Sequence, residues 1–428
     1  MKSFFKLGLA LLVGCLVIGS ADDLFAQEVA RGILEGVVWD QDKNPVEGAI
    51  ITLTGPQGVR SQVTDSYGRY QFRDLIPGEY SVKAESEGRA TVVQTAVDVS
   101  IGMRTQLPFM LSAGVDETIE VVSEAPVVDL KSTAVGALIS TEDLVQRIPL
   151  GRNFAQMFTL SPGVSTGLAA GAGNFSVSGS TGLENSYLID GVNVTNSGYG
   201  GIGSYNRVFG SLGTGVTNDF IEQVEIKEGG FEAEFGQATG GVMNAVVKSG
   251  TNDFQGGLSV YLEPGSMESP RRLFANNPES VTVNETDTQD FALDLGGPII
   301  QDKLFWFAAV NPVSTETEFT RLVEDESILF DSLGNLIDPA QPSGGRTETR
   351  ERTSTNWAAK VSWFVTPNHR IELTGFGDPS DGDFGPQRRT SLSRIGSEGF
   401  SELDYGGESY SIKYFGAITS DLFVDAIF

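Results

Sequence analysis

The stretch that decides the fold is residues 221–250, which read IEQVEIKEGGFEAEFGQATGGVMNAVVKSG. Its first nine residues alternate apolar with charged side chains, as a strand with one polar face does. Phe235-Gly236 and Gly240-Gly241 follow as turn residues, and a second apolar run then ends at Ser249-Gly250. Apolar runs separated by glycine turns are typical of short strands, so this part of the chain is predicted to be β-rich.

Two further motifs lie upstream of this stretch. Ser140–Leu144 offers a helix start with a capping residue and early acids, and Ser186–Val192 is a predicted strand that contains an Asp-Gly turn. From Ser140 to Gly250 the ordered set resembles the plug domain of TonB-dependent receptors. The residues that carry this resemblance most directly are Asp190, Gly191, Glu225, Gly236, Gly240 and Gly241.

A plug fills a wide barrel, and this implies a role for those glycines. We expect glycine turns where the plug backbone meets the barrel wall, and strands with one polar face toward a wet lumen. For each glycine taken alone, an ordinary turn in a mixed domain is the alternative.

Toward the N-terminus, Gly32–Leu111 shows period-2 alternation cut by turns at Asn44-Pro45 and Pro77-Gly78. This pattern predicts an antiparallel β-sandwich. Its motifs, including Thr64–Tyr70 and Leu75–Tyr80, resemble the carboxypeptidase regulatory-like domain. The residues predicted to share its core are Val37, Ile51, Leu53, Val63, Tyr70, Phe72, Tyr80 and Val82.

A short strip joins the sandwich to the plug-like segment. Asp116–Val122 is acidic at first and then β-prone, and Ala125-Pro126 follows. Such a strip is suited to join a partner's sheet as an edge strand. It is similar to the TonB box, which would comprise Glu117, Thr118, Ile119, Glu120, Val121 and Val122. The resemblance implies a TonB-type periplasmic energy-coupling protein as partner, although any linker strand would look much the same.

Beyond Phe254 the period-2 pattern returns with many aromatic residues. Gly296–Phe307 and Trp363–Ile371 are similar to the early barrel of the Oar-like group of TonB-dependent receptors. Pro298 and Asp302-Lys303 predict a short periplasmic turn, because proline cannot serve inside a ladder. Ser266–Asp287 and Glu316–Thr353 are then expected to be extracellular loops.

The predicted fold class is mainly β: an N-terminal β-sandwich, a mixed α/β plug domain and a partial antiparallel outer-membrane β-barrel. A plug-filled barrel needs about 22 strands. Too few residues follow Gly250 for that, so the chain is expected to be a fragment of a longer protein, with a truncated product that cannot transport as the alternative. The predicted limits are a signal peptide at 1–26, the sandwich at 32–113, a box-like linker at 114–126, the plug at 127–250 and the early barrel at 251–428.

The signal peptide is predicted from Lys2 and Lys6, which precede an apolar run at Leu7–Ile18 that is too short to span a bilayer. It implies export, here to the outer membrane. The only cysteine, Cys15, lies within this segment, so we expect no disulfide in the mature chain.

Composition excludes several function classes. The chain has 29 Lys and Arg against 56 Asp and Glu, and this net charge of -27 repels polyanions, so nucleic acid is not an expected partner. The single histidine, His369, cannot supply a zinc peptidase site or a Ser-His-Asp set. We therefore predict that the protein is not an enzyme and needs no cofactor.

One acidic cluster has side chains of the type that bind a metal ion. Asp378, Asp381 and Asp383 carry oxygen ligands of the kind that calcium prefers, but they lack EF-hand spacing. An acidic solvated loop is the favoured interpretation.

These patterns lead to one leading hypothesis and one alternative. The first is an outer-membrane receptor that binds an unknown extracellular ligand and imports it with energy relayed by TonB. The alternative is a barrel-anchored adhesion or structural protein without transport.

Overall fold

The computed structural model describes 15 parts of the chain, and the predicted signal peptide at 1–26 and residues 142–150 of the plug-like segment lie outside them. The described residues are 31–114, 118–122, 135–141, 152, 154–166, 174–196, 200–206, 210–212, 216–231, 235–236, 238–269, 281–321, 346–384, 401–418 and 422–428.

The first domain, here called the sandwich, is built from eight strands. They are β1 (Gly32–Asp40), β2 (Ile50–Gly55), β3 (Gly58–Val63), β4 (Arg69–Leu75), β5 (Gly78–Glu85), β6 (Thr91–Val99), β7 (Arg104–Gln106) and β8 (Phe109–Leu111). One sheet has the order β4-β1-β7, with β8 also paired to β1, and the facing sheet contains β3-β2-β5-β6. Alternate residues of both sheets meet in one core that includes Ile51, Leu53, Tyr70, Phe72, Tyr80 and Val82.

Two of the predicted core residues, Val37 and Val63, lie outside this core. On β1 the residues that belong to this core are Leu34 and Val38, and the neighbouring Val37 is only partly buried. Val63 is 64% exposed because β3 is an edge strand whose odd positions face outward. The predicted β-sandwich is confirmed, but the prediction that these two residues face its core is wrong.

A ninth strand, β9 (Thr118–Val122), is added to the edge of the sandwich. It runs parallel to β6, with Thr91 opposite Thr118 and Thr95 opposite Val122. β9 is therefore the outermost strand of a five-stranded sheet with the order β3-β2-β5-β6-β9.

The central domain follows, with strands β10 to β18. These are β10 (Val135–Ser140), β11 (Val164–Thr166), β12 (Phe175–Val177), β13 (Ser186–Ile189), β14 (Val192–Asn193), β15 (Ser204–Asn206), β16 (Gly210–Leu212), β17 (Ile221–Gly229) and β18 (Val242–Val247). Its main sheet has the order β10-β17-β18-β13-β14. Short 3₁₀ helices span Phe154–Leu160 and Asn218–Phe220. The predicted helix start differs in part, because Ser140 is the last residue of β10.

Nine strands form the last unit, here called the barrel sheet. They are β19 (Gln255–Glu263), β20 (Val281–Ile300), β21 (Leu304–Arg321), β22 (Arg346–Thr366), β23 (His369–Gly377), β24 (Ser380–Phe384), β25 (Ser401–Tyr405), β26 (Glu408–Ala417) and β27 (Phe423–Ile427), with a short 3₁₀ helix at Gly265–Met267. The main order is β19-β20-β21-β22-β23-β26-β27. Within the described residues β19 and β27 are not paired with each other, so the sheet is open.

The two faces of the barrel sheet differ sharply in chemistry. Its outer face exposes large apolar side chains, among them Leu258, Phe291, Leu293, Leu295, Trp363, Leu373 and Ile412. Its inner face buries polar ones, among them Asp290, Asn311, Lys360, Ser362, Arg370, Glu372 and Ser411. Phe307, Ala309, Ala358 and Phe376 on this inner face share one core with the central domain. A soluble sandwich would bury its apolar face instead, as the first domain does.

Two expectations about this sheet were wrong in part, and the middle sections of the expected loops, 270–280 and 322–345, lie outside the described residues. Residues 281–287, 316–321 and 346–353 were assigned to loops but belong to β20, β21 and β22, which pair in long antiparallel ladders. Pro298 lies inside β20 and not in the turn, at a register shift between Pro298 and Ile300 where the missing N–H is tolerated. The turn itself is Gln301–Lys303, and Asp302 adopts a positive φ of 62° there.

No helix among the described residues has the length and apolar character needed to cross a membrane.

Candidate functional site at the junction of the three domains

The Asp-Gly motif forms the tight turn of a hairpin in the central domain. Asp190 and Gly191 link β13 to β14 with φ values of 50° and 76°, the conformation that two-residue hairpin turns favour. The Asp190 N–H donates to the carbonyl of Ala245 at 2.8 Å. The turn therefore fixes the buried Asp190 carboxylate at the surface that meets the barrel sheet.

Lys360 on β22 reaches this carboxylate from the barrel sheet. Its Nζ lies 2.8 Å from Asp190 Oδ2 and donates to the carbonyl of Val247 at 2.5 Å. Both charged side chains are about 1% exposed. The sequence does not indicate this pairing, because nothing local to Lys360 shows which carboxylate it meets.

A second link between the central domain and the barrel sheet uses Arg152. Its guanidinium donates to Asp219 in the central domain at 3.1 Å and to Asp290 on β20 at 3.0 Å. It also lies over the ring of Tyr261 on β19, 3.7 Å from the centroid. The planar guanidinium suits this combination of forked hydrogen bonds and stacking. Arg152 was missed in the sequence because it belongs to no local pattern.

Of the four plug-motif glycines, only Gly191 lies where glycine turns were expected, since a Cβ there would lie 3.5 Å from Ile427 on β27 of the barrel sheet. A Cβ on Gly240 would collide with Ser180 and Asn185, and one on Gly241 with Val177, so both glycines allow close packing inside the central domain. Gly236 has nothing within 4 Å of such a Cβ. The backbone approaches the wall more closely at Gly250, which is not among those glycines: a Cβ there would collide with the backbone of Trp306 on β21.

Glu225, the remaining plug-motif residue, lies on β17 where the central domain faces the sandwich. It forms an ion pair of 3.3 Å with Lys227. A Cβ on Gly102 of the sandwich would collide with its carboxylate, so the two domains are in close contact there. Beside it, the N–H of Ile101 donates to Gln223 Oε1 at 3.1 Å.

The sandwich also meets the barrel sheet through a buried ionic cluster, which was not expected from the sequence. Arg31 and Asp74 come from the sandwich, and Arg370 and Glu372 from β23. Arg31 pairs with Glu372 and Arg370 with Asp74, while Ser362 Oγ donates to Glu372 at 3.0 Å. Burial alone would lower the pKa of Arg31, but the carboxylates of Glu372 and Asp74 raise it above its usual range.

The three units enclose a cavity of about 530 Å³. Pro56 and Pro77 of the sandwich, Glu222 and Lys248 of the central domain, and Asp294 of the barrel sheet line parts of it. Its mixed charges give it no single recognisable ligand class.

The acidic candidates for calcium lie on and beside a strand, where a solvated loop was expected. The Asp378 carboxylate accepts the N–H of Gly407 at 2.9 Å, Asp381 accepts Thr353 Oγ1 at 2.8 Å, and Asp383 accepts the N–H of Glu351 at 3.1 Å. Each carboxylate therefore accepts a hydrogen bond from another part of the barrel sheet. The described residues contain no group of three side chains suited to hold a metal ion.

Comparison with known proteins identifies all three units. The carboxypeptidase regulatory-like domain matches residues 33–112, the TonB-dependent receptor plug domain residues 129–242, and an outer membrane beta barrel domain residues 246–324. The sandwich, the central domain (hereafter the plug) and the barrel sheet thus correspond to three known domain types in the order expected from the sequence.

Curated relatives and a solved structure are similar to different shares of the chain. The chain is 29% identical to the TonB-dependent transporter Oar of Myxococcus xanthus over 96% of its own length and 40% of the relative. It is 26% identical to the ferric enterobactin receptor PirA of Pseudomonas aeruginosa over 59% of its length and 31% of the relative. A crystal structure of the ferric enterobactin receptor PfeA from Pseudomonas aeruginosa superimposes with a TM-score of 0.46 and 20% identity, covering 66% of this chain and 39% of that one.

The chain therefore contains a TonB-dependent receptor plug domain followed by an outer membrane beta barrel domain. The regulatory-like domain lies ahead of the plug, and the similarity to Oar extends across nearly the whole chain, as the resemblance to the Oar-like group predicted. The chain spans less than half the length of these relatives.

Proposed function

We propose that this protein acts in the outer membrane as a receptor that binds an extracellular ligand and imports it with energy relayed by a TonB-type periplasmic protein. The observation that carries the proposal is the buried contact between plug and barrel sheet, where Asp190 meets Lys360. A plug anchored by polar contacts to the inner face of an outward-apolar sheet is suited to rearrange inside a membrane barrel. No bond is made or broken in this function.

The relatives support transport as a class and leave the ligand open. One is named a transporter and the other a ferric enterobactin receptor. Ligand specificity in such proteins depends on surface loops. The proposal therefore names an extracellular ligand without assigning its chemistry.

The partner site we propose is the box-like strip, residues 117–122. Its described part, β9, is paired on one side with β6, and no described strand pairs with its other side. Ile119 and Val121 are each 41% exposed. A free strand edge offers backbone N–H and C=O groups to which a strand of a partner can add.

Site-directed cross-linking in cells tests the proposal without knowledge of the ligand. Val121→Cys in the full-length protein is expected to form a disulfide with a cysteine-bearing TonB-type protein, and the yield should fall when a protonophore removes the energy source. Val59→Cys, on the exposed edge strand β3, is the matched control and should cross-link at background level. Equal yields at the two positions would refute TonB coupling and favour the anchored adhesion protein.

A further inference from the structure

We infer that the sandwich holds the plug against the barrel sheet, at the end of the sheet that carries the Gln301–Lys303 turn. The sandwich must separate from this site before the plug can move, and it is called a releasable lock below. The inference gives the first domain a regulatory role in transport, and it rests on the proposed function for the need to move the plug. Three separate contacts support it.

The first contact lies where the plug chain enters the barrel sheet. The N–H of Asn252 donates to the carbonyl of Pro56 at 2.9 Å, and Gln57 Nε2 donates to the carbonyl of Gly250 at 3.0 Å. Asn252 Nδ2 also donates to Asp302 Oδ1 at 2.7 Å, in the turn between β20 and β21. The β2–β3 turn of the sandwich therefore sits on the junction between plug and barrel sheet.

The second contact is the ionic cluster on β23. The two sandwich residues, Arg31 and Asp74, and the two barrel residues, Arg370 and Glu372, are all at most 7% exposed. Opposite charges that are buried together are stable only while they remain paired, because removal of one partner leaves the other charged group desolvated. Once the cluster separates, water can solvate all four groups, so this contact suits an interface that opens and closes.

The third contact joins the sandwich to the plug. Ile101 of the sandwich packs against Val246 of β18, and both are buried. Together with the hydrogen bond from Ile101 to Gln223, this contact fixes the sandwich to β17 and β18. The sandwich thus touches the plug and the barrel sheet at once, and the plug cannot shift against the sheet while both contacts hold.

The place of β9 connects the lock to the energy-coupling partner. β9 is paired with β6 of the sandwich, so a pull on this strand acts on the locking domain before it reaches the plug. Interfaces between domains that rely on polar and charged contacts are commonly the ones that move.

The lock is tested by thiol labelling of the purified full-length protein in detergent. Ile101→Cys places a thiol in the buried contact between sandwich and plug, and it keeps the Ile101 backbone N–H that donates to Gln223. Asp74→Asn and Arg370→Gln should each raise the maleimide labelling rate about tenfold, because local opening becomes easier. The double variant should label no faster than the faster single variant, since both residues belong to one ion pair.

Two controls separate unlocking from unfolding. Asp65→Asn removes a carboxylate that pairs with Arg69 within the sandwich, and it should leave the labelling rate unchanged. Val82→Cys, buried in the sandwich core, should stay unreactive in every variant. Labelling in Asp74→Asn and Arg370→Gln that is no faster than in Asp65→Asn would overturn the inference.

A second measurement addresses release in cells. Labelling of Ile101→Cys in the periplasm should depend on the energised state and drop when a protonophore is added, whereas labelling that ignores the protonophore would overturn release by the partner. The detergent measurement uses neither ligand nor partner. A failure of the proposed transport function would therefore leave its result intact, and the two failures can be told apart.

Discussion

The sandwich and the barrel sheet are built from the same kind of alternating strand, but they bury opposite faces. In the sandwich, Phe72 and Val82 are fully buried while the charged Lys83 faces water. In the barrel sheet, Leu258 is 74% exposed while Lys360 is buried. The alternation alone is therefore insufficient to define the environment, because the same period-2 pattern serves a protein core in one region and a lipid-facing surface in the other.

This contrast predicts that charged residues matter most where the barrel sheet buries them. Lys360→Met should destabilise the docking of the plug by about 4 kcal/mol, because it leaves the Asp190 carboxylate buried without its cation. Lys83→Met, which removes the exposed pair with Glu85 in the sandwich, should cost at most about 1 kcal/mol. Hydrogen exchange of β13 and β5 measures the two effects, and similar losses would contradict the proposed difference between the regions.

For aromatic residues we expect the reverse ranking, with a substitution costing more stability in the sandwich than on the outer face of the barrel sheet. Phe72→Ala is expected to destabilise the sandwich by about 3 kcal/mol or more, because the side chain is fully buried and packs edge-to-face on Tyr70. Phe291→Ala on the outer face of β20 should cost less than half as much in detergent, where no packed core is lost. Denaturation in detergent, followed by hydrogen exchange of each region, provides the comparison.

A charge introduced on the outer face of the barrel sheet gives a further test of the contrast between the barrel sheet and the sandwich. Leu258→Arg should reduce the stability of the barrel sheet in lipid bilayers by about 2 kcal/mol, since the side chain then lies at the lipid face. Val59→Arg on the exposed edge of the sandwich should change stability by no more than about 0.5 kcal/mol. If both variants fold equally well in bilayers, the outer face of β19 does not contact lipid.

The smallest predicted effect is a pH dependence in the sandwich. Hydrogen bonds from the backbone N–H groups of Asn44 and Asp42 lower the pKa of Asp40 below its usual 3.8. Because the folded pKa is depressed, the stabilisation is present above pH 3.8 and is lost as the pH falls through the lower folded pKa. The exchange rate of the Asn44 amide should rise over that range, and Asp40→Asn should flatten the profile.

The order of the domains and most of their strands could be predicted from local patterns. Turn residues such as Asp190-Gly191 and the alternation around Trp363 depend only on neighbours in the chain, so they are readable from sequence. The limits of the strands were harder to predict from sequence. Residues 281–287 and 346–353 are polar, as loop residues are, and only their pairing with β21 shows that they belong to strands. The limits of the five predicted segments and the roles of residues 117–122 stay predictions.

The sequence by itself determined that this chain is mainly β and that a sandwich, a plug and an early outer-membrane barrel follow one another. Only the tertiary structure decided which charges meet: Asp190 with Lys360, Arg152 with Asp290, and Arg31 with Glu372, 341 positions apart. The physical reason is the separation along the chain over which each effect acts. Period and turn chemistry act between residues close in the chain, whereas an ion pair between domains depends on how whole sheets dock, and no local pattern encodes that arrangement.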